Sequence, residues 1–527
     1  MLAYFEEIAT GSQLEADICV VGGGPAGIAL AKELDAAGLS VLVVESGGLE
    51  FDRSTQDLYR GVNDRGDFKL HKSRYRLLGG TSYVWGGWCA PLDAADFESK
   101  SWLPGSGWPL TLNDLLPYYR RAQPLFDLGS YRYDVSEWNF GDAHVLALDP
   151  EKLSHRLWQL SPLAHFGEAY VDDLRRSENV RLLLLANATE IETDPDQTKV
   201  TGISIRDLHG RRARVTASAY VIACGGIETA RLLLASRAHS PNGVANGQDL
   251  VGRYFMEHPH PDAGGVVFSA SPEAMRPYAE RDFESERIIL GLGPSARAQE
   301  RLQILNCSVA LHGSIHHQPS EGMDSLIKIA RAFEAGQWPD NAGQHAWRVL
   351  SDLDDVLKET YLRTREGPVR GFGLIARTEV APNPENRVTL MSETDELGMP
   401  RVRLHWNVGE LERVTVEQTI RLMAQEFGRL DAGRIQINEL LLEESDAWSR
   451  NLSWFGHHMG TTRMSTDPRN GVVDPNCRAH GLSNLFVASS SVFPTSGYAN
   501  PTLTIVALAI RLADHLRALA ARESLAG

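Results

Sequence analysis

Two short stretches near the C-terminus carry residues suited to moving a proton. WFGHHMGTTRM holds His457 and His458, and GYANPTLT places Asn500 43 residues after His457. An imidazole titrates near neutral pH and can take a hydroxyl proton, while a carboxamide N–H can donate to the oxygen that the proton leaves. Neighbouring side chains in extended backbone point to opposite faces, so only one of the two histidines can serve a given site. Plainer roles compete. Paired histidines are often structural, and Asn500 is a good N-cap ahead of Pro501 at the first turn of a terminal helix. A helix N-terminus favours negative charge in front of it, so the capping and catalytic roles are compatible.

A second set of residues is suited to holding phosphate. Gly22, Gly24 and Gly27 form G-x-G-x-x-G, and Glu45 stands 18 residues beyond the third glycine. The first glycine makes the tight turn, the second lets backbone approach a pyrophosphate, and the third lets helix pack on strand; the acid accepts from a ribose hydroxyl. An ordinary tight turn in an unliganded sheet is the alternative, and the motif does not separate FAD from NAD. In RYRLLGGTSYVWGGWCAPL, Gly79, Gly80, Gly86 and Gly87 bracket Thr81, Ser82, Tyr83 and Trp85. Paired glycines permit close backbone approach and small hydroxyls offer donors, so this loop could lie against a flat ring and its phosphates. A tryptophan-rich surface loop has the same composition.

These residues need elements to position them. ADICVVGGGPAGIALAKELDAAGLSVLVVESGG reads as buried strand, glycine turn, amphipathic helix and second buried strand ending at Glu45, a βαβ unit. VRLLLLANATEI reads as one further strand. An antiparallel meander (VTGISIRD, a DLHGRR turn, ARVTASAYVIACGG) then leads to a helix at GGIETARLLLAS. Region 91–180 mixes Trp, Tyr, Pro and Asp and reads as a covering layer. Region 261–455 reads as a substrate-facing sheet that includes the hairpin RVTLMSETDELGMPRVRLHW, with a helix at VGELERVTVEQTIRLMAQEFGRL behind it. NLFVASSS is a strand, followed by a loop and a long terminal helix. No repeat or low-complexity linker appears, and nucleotide-type signals recur at the start, middle and end. The expectation is an α/β fold (α+β overall): a discontinuous Rossmann-like cofactor domain over 14–90, 181–260 and 455–521, interleaved with a substrate domain over 91–180 and 261–454 built on an antiparallel sheet.

Composition excludes several function classes. A chain of 527 residues exceeds what one core supports, so two domains are expected. Lys plus Arg total 52 against 68 Asp plus Glu, a net charge of −16, which disfavours nucleic acid and anionic membranes. Cys19, Cys89, Cys224, Cys307 and Cys477 are scattered without a C-x-x-C pair, so no metal site or covalent haem is expected. The N-terminus has no basic and apolar leader and no stretch approaches the roughly 18 apolar residues of a membrane span, so the expected location is cytoplasmic.

Four motifs in order, GGGPAG, LLGGTSYVWGG, ACGGIETARLLL and H-x-x-G-T-T-R-M followed by N-P-T-L-T, make the chain resemble the glucose-methanol-choline (GMC) flavin oxidoreductases over nearly its full length. The resemblance implies FAD rather than NAD. It implies cofactor contacts at Gly22, Gly24, Pro25, Ala26, Gly27, Glu45, Gly80, Thr81, Ser82, Trp85, Gly86, Gly87, Ala188, Cys224, Gly225, Ser489, Pro501 and Thr502. The phase of H-x-x-G-T favours His457 as the base, with Asn500 as its catalytic partner. A closing asparagine, rather than a second histidine, resembles the pyranose oxidase and glycoside 3-oxidase branch. ARTEV then implies Arg377 and Glu379, with His457 and Asn500, at a sugar site. Val84 stands where fungal pyranose oxidases tether the flavin through histidine, so FAD is expected to be non-covalent; Trp85 departs from the Asn or His of the general signature. The implied reaction is oxidation of a secondary sugar or glycoside alcohol to a ketone, with oxygen, a quinone or a redox protein as electron acceptor, in a chain that could oligomerise. Three alternatives remain: a non-sugar alcohol substrate, with Trp85, Trp88, Trp102 and Trp108 packing on apolar rings; a flavoprotein subunit of a larger dehydrogenase; and a dinucleotide-binding regulator without catalysis.

Overall fold

In the computed structural model the described residues are 1–526 apart from 141–144, 164, 270–275, 280–281, 284–285, 313–320, 335–337, 340–341, 355, 358–359, 361–370 and 444–446. Apolar runs with no polar alternation form the centre of the first sheet, because strands covered on both faces need no polar side. At its centre the ICVV end of Ser12–Val21 and all of Val41–Val44 are buried. The strand order is Leu2–Tyr4, Val180–Leu184, Val41–Val44, Ser12–Val21, Arg212–Ile222, Val200–Arg206 and Asn187–Thr193, with Leu485–Val487 also pairing to Arg212–Ile222. The pairings around Ser12–Val21 and Val41–Val44 are parallel, and the meander Asn187–Ile222 is antiparallel. Helix Pro25–Asp35 packs against helix Thr502–Ala526, so the first and last helices share one layer.

The second sheet is antiparallel. Its order is Gly433–Ile437, His260–Phe268, Gly371–Thr378, Cys307–His312, Glu286–Pro294, Leu153–Leu160 and Trp88–Cys89. Helix Glu410–Arg429 lies against it through a buried stripe that includes Val416, Ile420, Met423 and Phe427. Together the sheets make a mixed α/β fold with an antiparallel second layer.

Three sequence expectations are corrected. VRLLLLANATEI is two strands, Val180–Leu184 and Asn187–Thr193, because Leu185 takes φ 59°. There the N–H groups of Leu185 and Ala186 donate to the carbonyls of Gly47 and Glu45, which turns the chain out of one pairing into the next. Region 91–180 is more than a cover: Leu153–Leu160 is an interior strand of the antiparallel sheet, and helix Phe166–Arg176 packs on helix Pro25–Asp35. The hairpin Arg387–Thr394 and Pro400–His405 forms, but it pairs with Gly61–Asn63 in a separate three-stranded sheet.

Candidate active site

A cavity of about 790 Å³ runs between the two sheets. At one end lies the glycine turn. Gly22 has φ +110° and a Cβ there would sit 2.6 Å from the Ala223 carbonyl oxygen; a Cβ on Gly27 would sit 2.0 Å from the Gly22 oxygen. These two glycines let strand, helix and turn close. Gly24 differs, since a Cβ there would meet nothing within 4 Å, and the helix it precedes has no side-chain cap. The uncapped N–H groups of the first turn therefore face open space, a cradle for a pyrophosphate. Glu45 stands beside it, accepting from the N–H of Gly23 and of Gly47, each at 2.7 Å. Oε1 also accepts from Ser46 Oγ at 3.3 Å, which leaves Oε2 with a lone pair for a ribose hydroxyl. Ala188, Cys224, Gly225 and Ser489 line the same cavity, as do Pro25, Ala26, Gly80, Thr81, Ser82, Trp85, Gly86, Pro501 and Thr502. The donor set and the free cradle fit a dinucleotide cofactor.

Three expected contacts stand elsewhere. Gly27 and Gly87 are in the wall, where Gly87 packs against Ser161 and accepts its N–H at 2.8 Å. Glu379 is fully buried behind the cavity, accepting from Asn306 N–H (3.1 Å) and Gly497 N–H (3.3 Å) and facing Lys100 Nζ at 3.5 Å. It follows the end of strand Gly371–Thr378, so strand alternation no longer aims it with Arg377. The Ser82 hydroxyl is also spent within its loop, donating to Gly79 O at 2.6 Å and accepting from Phe166 N–H.

The sequence reading missed a buried charge cluster beside the cradle. Glu228 meets Arg76 (2.8 Å), Arg74 (3.1 Å) and Arg231 (3.1 Å), and Arg231 also meets Asp395 at 2.7 Å. Although burial opposes ionisation, the three guanidinium groups hold the Glu228 carboxyl down at about 2. The cluster ties the 74–76 loop and helix Gly225–Ala235 to the hairpin turn at Asp395.

At the other end of the cavity His457 and Asn500 meet, with His457 Nε2 and Asn500 Nδ2 3.4 Å apart. Asn500 Oδ1 accepts from Arg377 Nη1 at 2.6 Å, so the carboxamide is spent on the site rather than on the helix start. Arg377 Nε reaches His260 Nε2 at 3.4 Å, and its guanidinium lies 5.3 Å from the Trp88 ring and 5.7 Å from that of Trp158. His258 completes the group: Nδ1 is 3.0 Å from His457 Nδ1, and Nε2 donates to the Gly497 carbonyl at 2.9 Å. Glu257 staples the two histidine segments by accepting from the N–H groups of His457 (2.8 Å) and His258 (3.2 Å) on one oxygen. Its other oxygen faces His458 Nε2 at 3.4 Å. The His458 ring packs against Phe68 (6.1 Å) and Phe255 (5.7 Å), and His458 also lines the cavity. Trp102 and Trp108 donate to Ile304 O and Thr495 Oγ1 outside the cavity, whereas Trp85 and Trp88 line it.

Burial sets the charges here. It holds His457 and His260 well below the usual imidazole value, and pushes His258 and His458 down to about 3. It also raises Glu257 to about 8. Arg377 falls only to about 10 and stays a cation at neutral pH. The alternation in M-E-H-P-H was the one sequence signal that could have marked His258 and His260 as sharing a strand face.

The arrangement, a dinucleotide cradle opening onto an imidazole–carboxamide pair, has parallels in known families. Models described as GMC oxidoreductase match residues 165–260 and 382–509, and one described as FAD binding domain matches residues 15–54. The chain belongs to the GMC oxidoreductase family. It is an FAD-dependent oxidoreductase acting on alcohols. Among GMC relatives, 6'''-hydroxyparomomycin C oxidase of Streptomyces lividus is 28% identical over 95% of this chain and 92% of its own. The fructose dehydrogenase large subunit of Gluconobacter japonicus is 30% identical over 67% of this chain; that match spans only 57% of the relative's length. In structure, pyridoxine 4-oxidase from Mesorbium loti superposes with a TM-score of 0.59 at 17% identity, covering 95% of this chain and 99% of that one, which establishes the shared fold. Among the described residues no helix is long and apolar enough to cross a membrane.

Proposed function

We propose that this GMC oxidoreductase oxidises a secondary alcohol of a sugar or glycoside to a ketone, with His457 as the base and Asn500 as the donor to the reacting oxygen. The observation that carries the reading is the 3.4 Å approach of His457 Nε2 and Asn500 Nδ2 at the cavity end opposite the phosphate cradle. FAD, when bound, supplies the acceptor for the carbinol hydride. The residues supply the rest. His457 is neutral and takes the hydroxyl proton, Asn500 donates to the same oxygen, and Arg377 fixes the carboxamide by occupying Oδ1. Trp88 and Phe455 give faces for a sugar ring, while Arg377 and His260 give polar partners, a mixture that favours a polyol over a purely apolar alcohol.

The reading extends to the cofactor's attachment and to the domains. Val84 has no nucleophile to offer the flavin, which supports non-covalent FAD. The FAD-binding unit comprises 14–90, 181–260 and 455–521, and the substrate unit 91–180 and 261–454, with Trp88–Cys89 paired into the antiparallel sheet and helix Phe166–Arg176 packed on helix Pro25–Asp35. The test is anaerobic bleaching of the flavin band by a panel of monosaccharides, glycosides and hydrophobic alcohols. Bleaching by sugars is expected; bleaching by hydrophobic alcohols alone would replace the substrate class. His457→Ala is expected to slow bleaching by about 10²–10⁴-fold, the range of general base catalysis, and a near-normal rate would remove His457 from the base role.

A second reading, a flavoprotein subunit of a larger dehydrogenase, has its own support. Phe333, Trp338 and Trp347 are 55%, 77% and 70% exposed, on or beside the helices Glu321–Glu334 and Ala342–Ser351. Exposed apolar groups on this scale suit a partner surface. Turnover of the purified chain with oxygen speaks against that role; turnover only with an artificial acceptor speaks for it.

A further inference from the structure

We infer that His258 is a positioning residue that fixes the proton of His457 on Nδ1 and so presents a bare Nε2 to the substrate. The inference rests on His457 being the base, as proposed above.

The argument is an inventory of protons. The Gly497 carbonyl can only accept, so His258 Nε2, 2.9 Å away, must carry a hydrogen. His258 is completely buried and held neutral, so it has one ring proton and its Nδ1 is bare. A bare Nδ1 at 3.0 Å from His457 Nδ1 requires the hydrogen of that contact to sit on His457. Neutral His457 then has nothing on Nε2.

A second chain of contacts reaches the same atom from the other side. The Arg377 guanidinium can only donate, so Asn500 Oδ1 at 2.6 Å is the acceptor and Nδ2 is the end turned towards His457 Nε2. A donor aimed at Nε2 is compatible only with a bare nitrogen there. Both ends of the relay are thus anchored by groups that have no choice of role, a backbone carbonyl and a guanidinium. Glu257 keeps the two histidine segments in register, and Met256 and Met459 exchange backbone hydrogen bonds beside it.

The consequence for the reaction is specific. An alcohol oxygen lying between Nε2 and Nδ2 gives its proton to Nε2 as the hydride leaves carbon. His457 becomes an imidazolium that still donates through Nδ1 to His258, so the new charge gains a stronger hydrogen bond without any atom moving. The facing groups are Arg377, His260, His458 and Glu257; of these only Arg377 is charged at neutral pH, and no carboxylate is available among them to take the orienting role. A neutral imidazole does here what a carboxylate does in the serine protease triad.

Two measurements test this. Histidine-selective ¹⁵N spectra of the wild-type holoenzyme, with the His457 signals assigned by their loss in His457→Gln, should show a protonated Nδ1 and a bare Nε2; the opposite tautomer overturns the inference. Isosteric replacement gives the second. Asn places its carboxamide oxygen at the Nδ1 position and restores an acceptor for His457, whereas Gln reaches only the Nε2 position. His258→Gln should slow anaerobic flavin reduction about a hundredfold, and His258→Asn should recover to within about threefold of wild type, with FAD content the check on folding. Equal rates in the two variants overturn the inference, and if either fails to hold FAD the wild-type spectrum decides. Full activity of His457→Ala would instead sink the proposed base, a result neither His258 variant can mimic.

Discussion

Arg377 is the residue on which the His457–Asn500 end of the cavity turns. Among the described residues no carboxylate pairs with it, and its partners are Asn500, His260 and two tryptophan faces. Its planar fork serves Asn500 and His260 at once, which the point charge of lysine cannot do. Arg377→Met is therefore expected to lower the rate of flavin reduction about tenfold to a hundredfold through a misoriented Asn500, with Arg377→Lys recovering only part, as read by stopped-flow reduction. The histidine beside it sets the pH dependence. His457 is held well below 6.5 by burial, with His258 and Arg377 adding to the effect, so its imidazole, the proposed base, is already neutral at neutral pH. The reduction rate should be flat from pH 6.5 to 8 and fall only as pH drops through the lowered value. A rate still rising above pH 6.5 would contradict this.

At the scale of elements, the cradle depends on glycines that serve different ends. Gly27 closes helix on strand, and its added Cβ would strike a backbone oxygen at 2.0 Å that cannot yield. Gly27→Ala should cost roughly 3 kcal/mol of stability even without cofactor. Gly24 sits at φ −77° with open space around it, so Gly24→Ala should leave the apoprotein's thermal midpoint unchanged and weaken FAD binding instead. Calorimetry of the apoproteins alongside FAD titration by flavin fluorescence separates the two outcomes. If both variants lost stability equally, the open cradle at Gly24 would be wrong.

The whole molecule carries several titratable groups that folding keeps neutral, and they shape its stability with opposite signs. His258 and His458 are neutral down to about 3 when folded but take protons below 6.5 when unfolded, so their contribution is intact above 6.5 and is lost as pH falls towards 3. Glu257 is protonated up to about 8 when folded but ionises above 4.5 when unfolded, so its contribution is full below 4.5 and declines as pH rises towards 8. Between 6.5 and 8 the two histidine contributions no longer change, and Glu257 gives a slope of about 1.4 kcal/mol per pH unit at most, to which buried Asp96, raised to about 7, adds in the same sense in the lower part of that range. Glu257→Gln keeps an oxygen to accept both backbone N–H groups and removes that titration. Its thermal midpoint should vary less than the wild type's between pH 6.5 and 8; an unchanged slope would show that Glu257 is ionised in the fold.

The βαβ unit and the glycine cradle with Glu45 were legible in the sequence because each is encoded by local spacing or by a run of one periodicity, whereas the pairing of His457 with Asn500 rested on the resemblance to the GMC family. The strand Leu153–Leu160 was not, since it is buried on both faces over most of its length and shows no alternation. Nor was the third sheet, which depends on a three-residue strand at Gly61–Asn63 meeting a hairpin far along the chain. At the site, ARTEV drew Arg377 and Glu379 together, yet the end of the strand between them turns Glu379 behind the wall. His258 meets His457 across 199 residues, and Asn500 meets Arg377 across 123. The sequence by itself determined which groups could hold the cofactor and move a proton. Only the tertiary structure decided which ring nitrogen of His457 is turned towards Asn500, because that is set by what lies on the ring's far side, and those neighbours arrive from distant parts of the chain.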